Sequence, residues 1–339
     1  MKLENLCKWV LLTLLLFTFR VQAQVGLDKI AQSTMNFQQV GLSAKASALG
    51  EAFCAVGRGS EALFYNPAGV AEMDHTYDLR VYATQWIADI QYLAGALAWD
   101  WDRYGTIALS IMAVDYGDIH TTALLSAAET TLYPEGYKDT GLAENVGAYS
   151  IGLTYGRAIS TQFFIAANAR LVGQNLGSTV MSAGAIKDNS ALKLVFDAGV
   201  KYYTGLKSFR FGMAIRNFSS NIKREEINEQ MPLTFTMGAA MNLIDLFSVQ
   251  AANKNALTLA IDFVHPNNYS ERMNIGLEYA YASRIALRAG YQSNQDLASW
   301  SAGMGLNTQV GKNRVTIDYS YSYFEIFDGV SRLAMGIGF

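Results

Sequence analysis

Long stretches of the chain alternate apolar with small or polar residues at a period of two. Phe209, Phe211, Met213 and Ile215 alternate with Arg210, Gly212, Ala214 and Arg216. Leu192, Leu194, Phe196, Ala198, Val200 and Tyr202 alternate with Lys193, Val195, Asp197, Gly199, Lys201 and Tyr203. The same rhythm runs through 273–282 and 315–323. A strand turns successive side chains to opposite faces. Each segment therefore predicts a strand with one apolar, aromatic face and one face of Gly, Ala, Ser, Thr and isolated charges. Further strands are expected near 77–87, 91–101, 104–115, 146–158, 162–175, 232–243, 256–264, 284–292 and 299–308. A last one runs through Leu333, Met335, Ile337 and Phe339, with Ala334, Gly336 and Gly338 between them.

A soluble sandwich would put Lys and Glu on its wet face. A membrane barrel instead has lipid outside and a polar or small-residue lumen inside. The chain is 51% hydrophobic and only 16% charged, against about 25% charged in an ordinary soluble domain. Beyond the first two dozen residues no apolar run reaches the ~18 residues of a membrane helix. The predicted fold class is thus all-β, a transmembrane antiparallel β-barrel of about 14 strands. Trp86, Trp99, Trp101 and Trp300 are expected in the aromatic girdles at its two rims. The longest interruption, 117–145, is expected to be an extracellular loop that partly forms a hairpin. The most charged run, 219–231, reads as a solvated loop.

The N-terminus reads differently. Lys2 and Lys8 precede the apolar run Trp9–Phe19, and Val21-Gln22-Ala23 offers small residues for cleavage. Residues 1–23 are therefore expected to be a secretory signal peptide. Their removal takes Lys2, Lys8, Arg20 and Glu4 out of totals of 26 basic and 29 acidic side chains, leaving a net charge of −5. Residues 24–75 are rich in Ala, Ser and Gly and lack the period of two. They are expected to form a small plug or hatch inside the barrel lumen, or else a periplasmic extension. Residues 76–339 are expected to be the barrel.

Candidate chemistry is sparse. The charge balance gives no footprint for nucleic acid. His75, His120 and His265 are scattered, which disfavours a histidine metal site. Cys54 reads as a buried small hydrophobe. Gly57-Arg58-Gly59-Ser60 lacks the Lys-Ser/Thr of a phosphate loop, and no Ser/His/Asp order suggests a triad. No catalytic residue, metal or cofactor is expected. On inward faces the alternation places Asp197, Lys201, Arg210, Arg216, Asp262, Glu278, Arg288 and Asp318. They read as a structural luminal network or, less readily, as a ligand site. Asn66, Pro67 and Ala68 form a turn element whose plain role is to shape the local backbone.

The text around that element resembles a known family. ASALGEAFCAVGRGSEALFYNPAGVAEM (46–73) is similar to the N-terminal signature of PorV/PorQ outer-membrane proteins, which are related to FadL-type transporters. DYGDIHTT (115–122), 196–222, 274–292 and IDYSYSYF (317–324) extend the resemblance over most of the barrel. Gly57-Arg58-Gly59-Ser60 departs from the acidic turn common in that family. The resemblance implies a bacterial outer-membrane barrel that is not an enzyme. A PorV-like role implies binding of secreted cargo or secretion-system proteins in a type IX-like pathway. A FadL-like role implies a channel for hydrophobic small molecules. Outer-membrane lipid is a partner in either case.

Overall fold

The computed structural model describes residues 33–339, apart from 124, 127, 181–185, 225–226, 247–254, 295–297 and 328. The expected signal peptide, and residues 24–32 of the expected plug, lie outside the described residues.

In chain order the strands are β1 (Tyr77–Gln85), β2 (Gln91–Asp100), β3 (Thr106–Asp115), β4 (His120–Ala123), β5 (Lys138–Leu142) and β6 (Gly147–Ala158). Next come β7 (Phe163–Val180), β8 (Ile186–Tyr203), β9 (Arg210–Phe218), β10 (Ile222–Arg224), β11 (Ile227–Glu229) and β12 (Thr234–Asn242). The last are β13 (Asn255–Pro266), β14 (Arg272–Tyr281), β15 (Ile285–Gln292), β16 (Ala298–Val310), β17 (Asn313–Phe324) and β18 (Val330–Gly338). Fourteen of them close into one antiparallel barrel, with β3 against β6, β9 against β12, and β1 against β18 at the seam. The other four pair as two separate hairpins, β4–β5 and β10–β11.

The period of two decides which face each residue takes. Leu93, Leu109, Ile111, Ile151 and Leu153 are exposed on the outer wall, while Ala94, Ala96, Ala98 and Ala108 are buried within. Closure satisfies every strand edge, as hydrocarbon requires. β1 begins where β18 ends, as Asp78 opposite Gly338 shows. Most connections at this end are short turns, for instance 311–312 between β16 and β17. The opposite, loop end carries 116–146 and 219–233, which hold the two hairpins.

Several expectations change. The strands expected at 162–175 and 192–203 both run 18 residues, as β7 and β8. The 219–233 connection, read as a plain solvated loop, contains the short hairpin β10–β11. Trp86 is not a girdle residue. It packs edge-on against Tyr92 and Phe324 and beneath the Arg332 guanidinium, with the buried core. It stands one residue past β1, where it continues the inward alternation of Tyr82 and Thr84. Trp99 and Trp101 do face outward, stacked in a row with Tyr77, Phe339 and Tyr104 at the turn end. Trp300 lies against Tyr291 near the loop end. The alternation of 209–216 breaks at a bulge. Phe196 pairs with Phe218 and Ala198 with Ile215, so Arg216 and Asn217 both stand opposite Asp197. Asn217 takes a positive φ of 64° there.

Residues 33–75 lie against the inner faces of strands all round the ring. They begin at the loop end, where Ser33 bridges Gln230, and reach the turn end, where His75 neighbours Gly338. One helical turn, α1 (Ala44–Ala48), is capped by the Ser43 hydroxyl accepting from Ala46 N at 3.3 Å. Single 3-10 turns follow at Gly59–Ala62 and Pro67–Ala71. The fit depends on missing side chains in the wall. A Cβ on Gly290 would strike the Gly50 backbone, and one on Gly276 would strike Leu49. Leu49, Phe53, Ala55 and Val56 thereby form a core with Ala240 and Ala260 of the wall.

Candidate functional site

Above this segment, towards the loop end, the lumen keeps a cavity of about 650 Å³. The segment supplies its floor through Phe37, Val40, Gly41, Glu51, Cys54 and Tyr65. One wall is aromatic, with the edge-to-face trio of Trp86, Tyr92 and Phe324. The facing wall is polar and includes Arg216, Asp262, Arg272 and Asn274.

Below the cavity, ion pairs tie the segment to the barrel. Lys201 of β8 meets Glu72 at 2.6 Å and donates to the Gly57 carbonyl at 3.0 Å. Arg58 meets the same carboxylate at 2.8 Å. Glu61 sits between Lys45 at 3.7 Å and Arg80 of β1 at 3.5 Å. Burial would raise the carboxyl pKa of both acids. For Glu72 the charges of Lys201 and Arg58 outweigh it, and for Glu61 those of Arg80 and Lys45 do, so both end below the ordinary carboxylate value. A second, smaller space of about 160 Å³ lies among these charges at the turn end.

Each of the eight charges that the alternation points inward has a partner in the structure. Asp197 takes a two-pronged bond from Arg170, at 2.7 Å to each oxygen, and accepts from Asn217 N at 2.8 Å. Arg170 also donates to Gln38 of the segment. Arg210 donates to the Ala55 carbonyl at 2.9 Å, and Arg216 to that of Phe64. Asp262 accepts from Phe53 N and Cys54 N, both at 2.8 Å. Glu278 of β14, Arg288 of β15 and Asp318 of β17 form a chain that crosses β16, each contact 2.6 Å. Gly305 leaves the room in which Arg288 reaches Asp318.

Asn66, Pro67 and Ala68 lie near the turn end. The Asn66 amide donates to the carbonyls of Cys54 (2.9 Å) and Val200 (3.0 Å), and its oxygen accepts from Ala68 N at 3.1 Å. Asn66 thus caps the Pro67–Ala71 turn and fastens it to β8. Cys54 is buried, and that burial pushes its thiol well above the ordinary range, with Asp262 adding to the effect. Among the described residues no cluster of His, Cys, Asp and Glu could hold a metal.

Sequence reasoning missed Glu61, Glu72, Arg80, Arg170, Arg272 and Arg332. Arg80, Arg170, Arg272 and Arg332 stand at inward positions of their strands, so the same alternation could have found them. Glu61 and Glu72 lie where no period operates.

No protein-family model matches the sequence, and no curated protein sequence matches it either. Solved structures do. The toluene transporter TodX of Pseudomonas putida is 13% identical, with 88% of this chain and 96% of that chain aligned and a TM-score of 0.56. The toluene transporter TbuX of Ralstonia pickettii is 14% identical, with 88% and 97% aligned and a TM-score of 0.54. The CymD monoaromatic hydrocarbon channel is 13% identical, with 88% and 96% aligned and a TM-score of 0.52. The likeness is one of fold, and it covers nearly the whole of each neighbour. A closed fourteen-stranded antiparallel barrel with an apolar outer wall is a protein of the bacterial outer membrane.

Proposed function

We propose that this protein is a channel that takes hydrophobic small molecules across the outer membrane, with residues 24–75 as its plug. The cavity carries this reading. It lies at the loop end, has an aromatic wall, and is floored by the N-terminal segment. Ligand sites are concave, largely apolar and of about this size. The neighbours of like fold are named as toluene transporters and a monoaromatic hydrocarbon channel. In this reading a molecule enters from the loop end and rests on the plug. It leaves when the plug's ion pairs with the barrel yield. The PorV/PorQ role as a holder of secreted proteins has the sequence resemblance alone behind it.

The test is uptake. The full chain is expressed in a host lacking its own hydrophobic channels, and entry of labelled toluene is measured beside a hydrophilic solute of similar size. Faster entry of toluene alone is expected. No change in toluene entry, with a stoichiometric secreted protein copurifying, would replace the channel by the secretion role.

A further inference from the structure

We infer that the cavity prefers an acidic aromatic molecule, an aryl carboxylate, over a plain hydrocarbon of the same size; this rests on the channel reading. Three arginines line the cavity: Arg216, Arg272 and Arg332. Each guanidinium stacks on an aromatic ring that lines the same cavity. Arg332 lies 5.4 Å from the Trp86 centroid, Arg216 5.9 Å from Tyr65, and Arg272 5.7 Å from Tyr269.

Among the described residues none of the three forms an ion pair. Elsewhere in the lumen Arg80, Arg170, Lys201 and Arg288 each hold a carboxylate. Arg332 uses its donors on the Gly41 carbonyl and the Ser322 hydroxyl, and Arg216 one of its own on Phe64. Arg272 has no hydrogen-bond partner among the described residues, and its Nε is buried. Two carboxylates, Glu51 and Asp262, face the same space. Asp262 is engaged by the backbone of Phe53 and Cys54, and Glu51 lies against Gly41. Three guanidinium charges thus face two carboxylates.

Arginine does not lose its charge on burial. A hydrocarbon filling the cavity would strip water from these cations and give nothing back. A carboxylate gives charge-assisted, forked hydrogen bonds. An aryl body adds edge-to-face contact with Trp86, Tyr92 and Phe324 and layers against the arginine–ring pairs. A straight alkyl chain gains neither.

The experiment is a tryptophan-fluorescence titration of the purified full chain in mild detergent. The probes are 3-phenylpropanoate, its methyl ester, and nonanoate, which matches its carbon count. The aryl acid is expected to bind at least tenfold tighter than either of the others. Arg272→Gln is expected to lose about tenfold for the acid and nothing for the ester, and Arg272→Lys to keep the preference. Heat-modifiable migration on gels confirms that each variant is folded. Equal binding of acid and ester overturns the inference and leaves the hydrocarbon channel standing. Nonanoate binding as tightly as the aryl acid also overturns it. If none of the probes binds, the inference and the channel reading fall together.

Discussion

Lys201 and Glu72 meet at 2.6 Å with the lysine side chain wholly buried, and the pair ties the barrel to its N-terminal segment. Removing one partner of a buried pair strands the other charge, at a cost of about 3–5 kcal/mol. Lys201→Met or Glu72→Gln should therefore lower the temperature at which the barrel loses its compact gel mobility. The double variant Lys201→Met/Glu72→Leu should recover much of the loss. Equal damage from the double and single variants would show that the pair does not act as a unit.

Acid should loosen the segment before it opens the barrel. Glu61 and Glu72 both have folded pKa values below the ordinary 4.5. A depressed carboxylate contributes stability that is fully present above its unfolded pKa and is lost as pH falls through the folded one. Protease cleavage within 33–75 should thus be absent at neutral pH and rise as pH falls below about 4, while the barrel strands stay protected. Cleavage that rises equally in Glu61→Gln/Glu72→Gln and in the native chain would assign the acid response to other groups.

The wall glycines should differ sharply among themselves. At Gly290 a Cβ would strike the Gly50 backbone, whereas at Gly95 it would meet Ile111 at 3.5 Å and the Arg80 carbonyl at 3.8 Å, both ordinary contacts. Gly290→Ala should cost about 1–3 kcal/mol through overpacking, and Gly95→Ala should cost almost nothing. Denaturant refolding into micelles measures both.

At Asn66 the nature of the loss matters more than the size of the side chain. Asn66→Ala removes a cap, worth about 0.5–2 kcal/mol, together with both amide donors. Asn66→Asp keeps the capping oxygen but turns a carboxylate towards the carbonyls of Cys54 and Val200. The aspartate variant should be the less stable of the two, as read by thermal unfolding. The opposite order would show that the cap outweighs the donors.

Lipid exposure can be probed from outside. Leu153 is 55% exposed on the outer face of β6. Leu153→Arg should destabilise the folded barrel by about 2–4 kcal/mol if it lies near the bilayer midplane. The same change at Leu132, in the 116–146 connection, should be neutral.

The barrel was legible because one physical rule, a face change at every residue, holds along each strand and is written in the side chains. That rule points Asp197, Lys201 and Asp262 inward, and all three are buried. It does not name what stands across the lumen. The partner of Lys201 is Glu72, more than a hundred residues away on a segment without a period, and nothing along the chain links the two. The rule also fails where the backbone breaks it. The bulge opposite Asp197 turns Arg216 and Asn217 inward together, and no single residue there announces it. Trp86 shows a different limit. Large aromatic residues are enriched at membrane rims, but the parity of β1 assigns this one to the lumen, and parity is the stronger guide. The cavity escaped the sequence altogether, because it is a space left between distant elements.

The seam between β1 and β18 carries a consequence for biogenesis. The ring cannot shut until its final strand is in place, yet the segment that lies against its inner faces precedes the first strand. The small inward residues of the wall offer little to pack against one another, so the N-terminal segment has to be enclosed as the wall closes. A nascent barrel that closed before this filling was in place would trap an empty, water-filled interior. The order of elements along the chain thus bears on assembly, and moving the N-terminal segment behind β18 should yield a protein that inserts poorly even though every contact of the finished molecule remains possible.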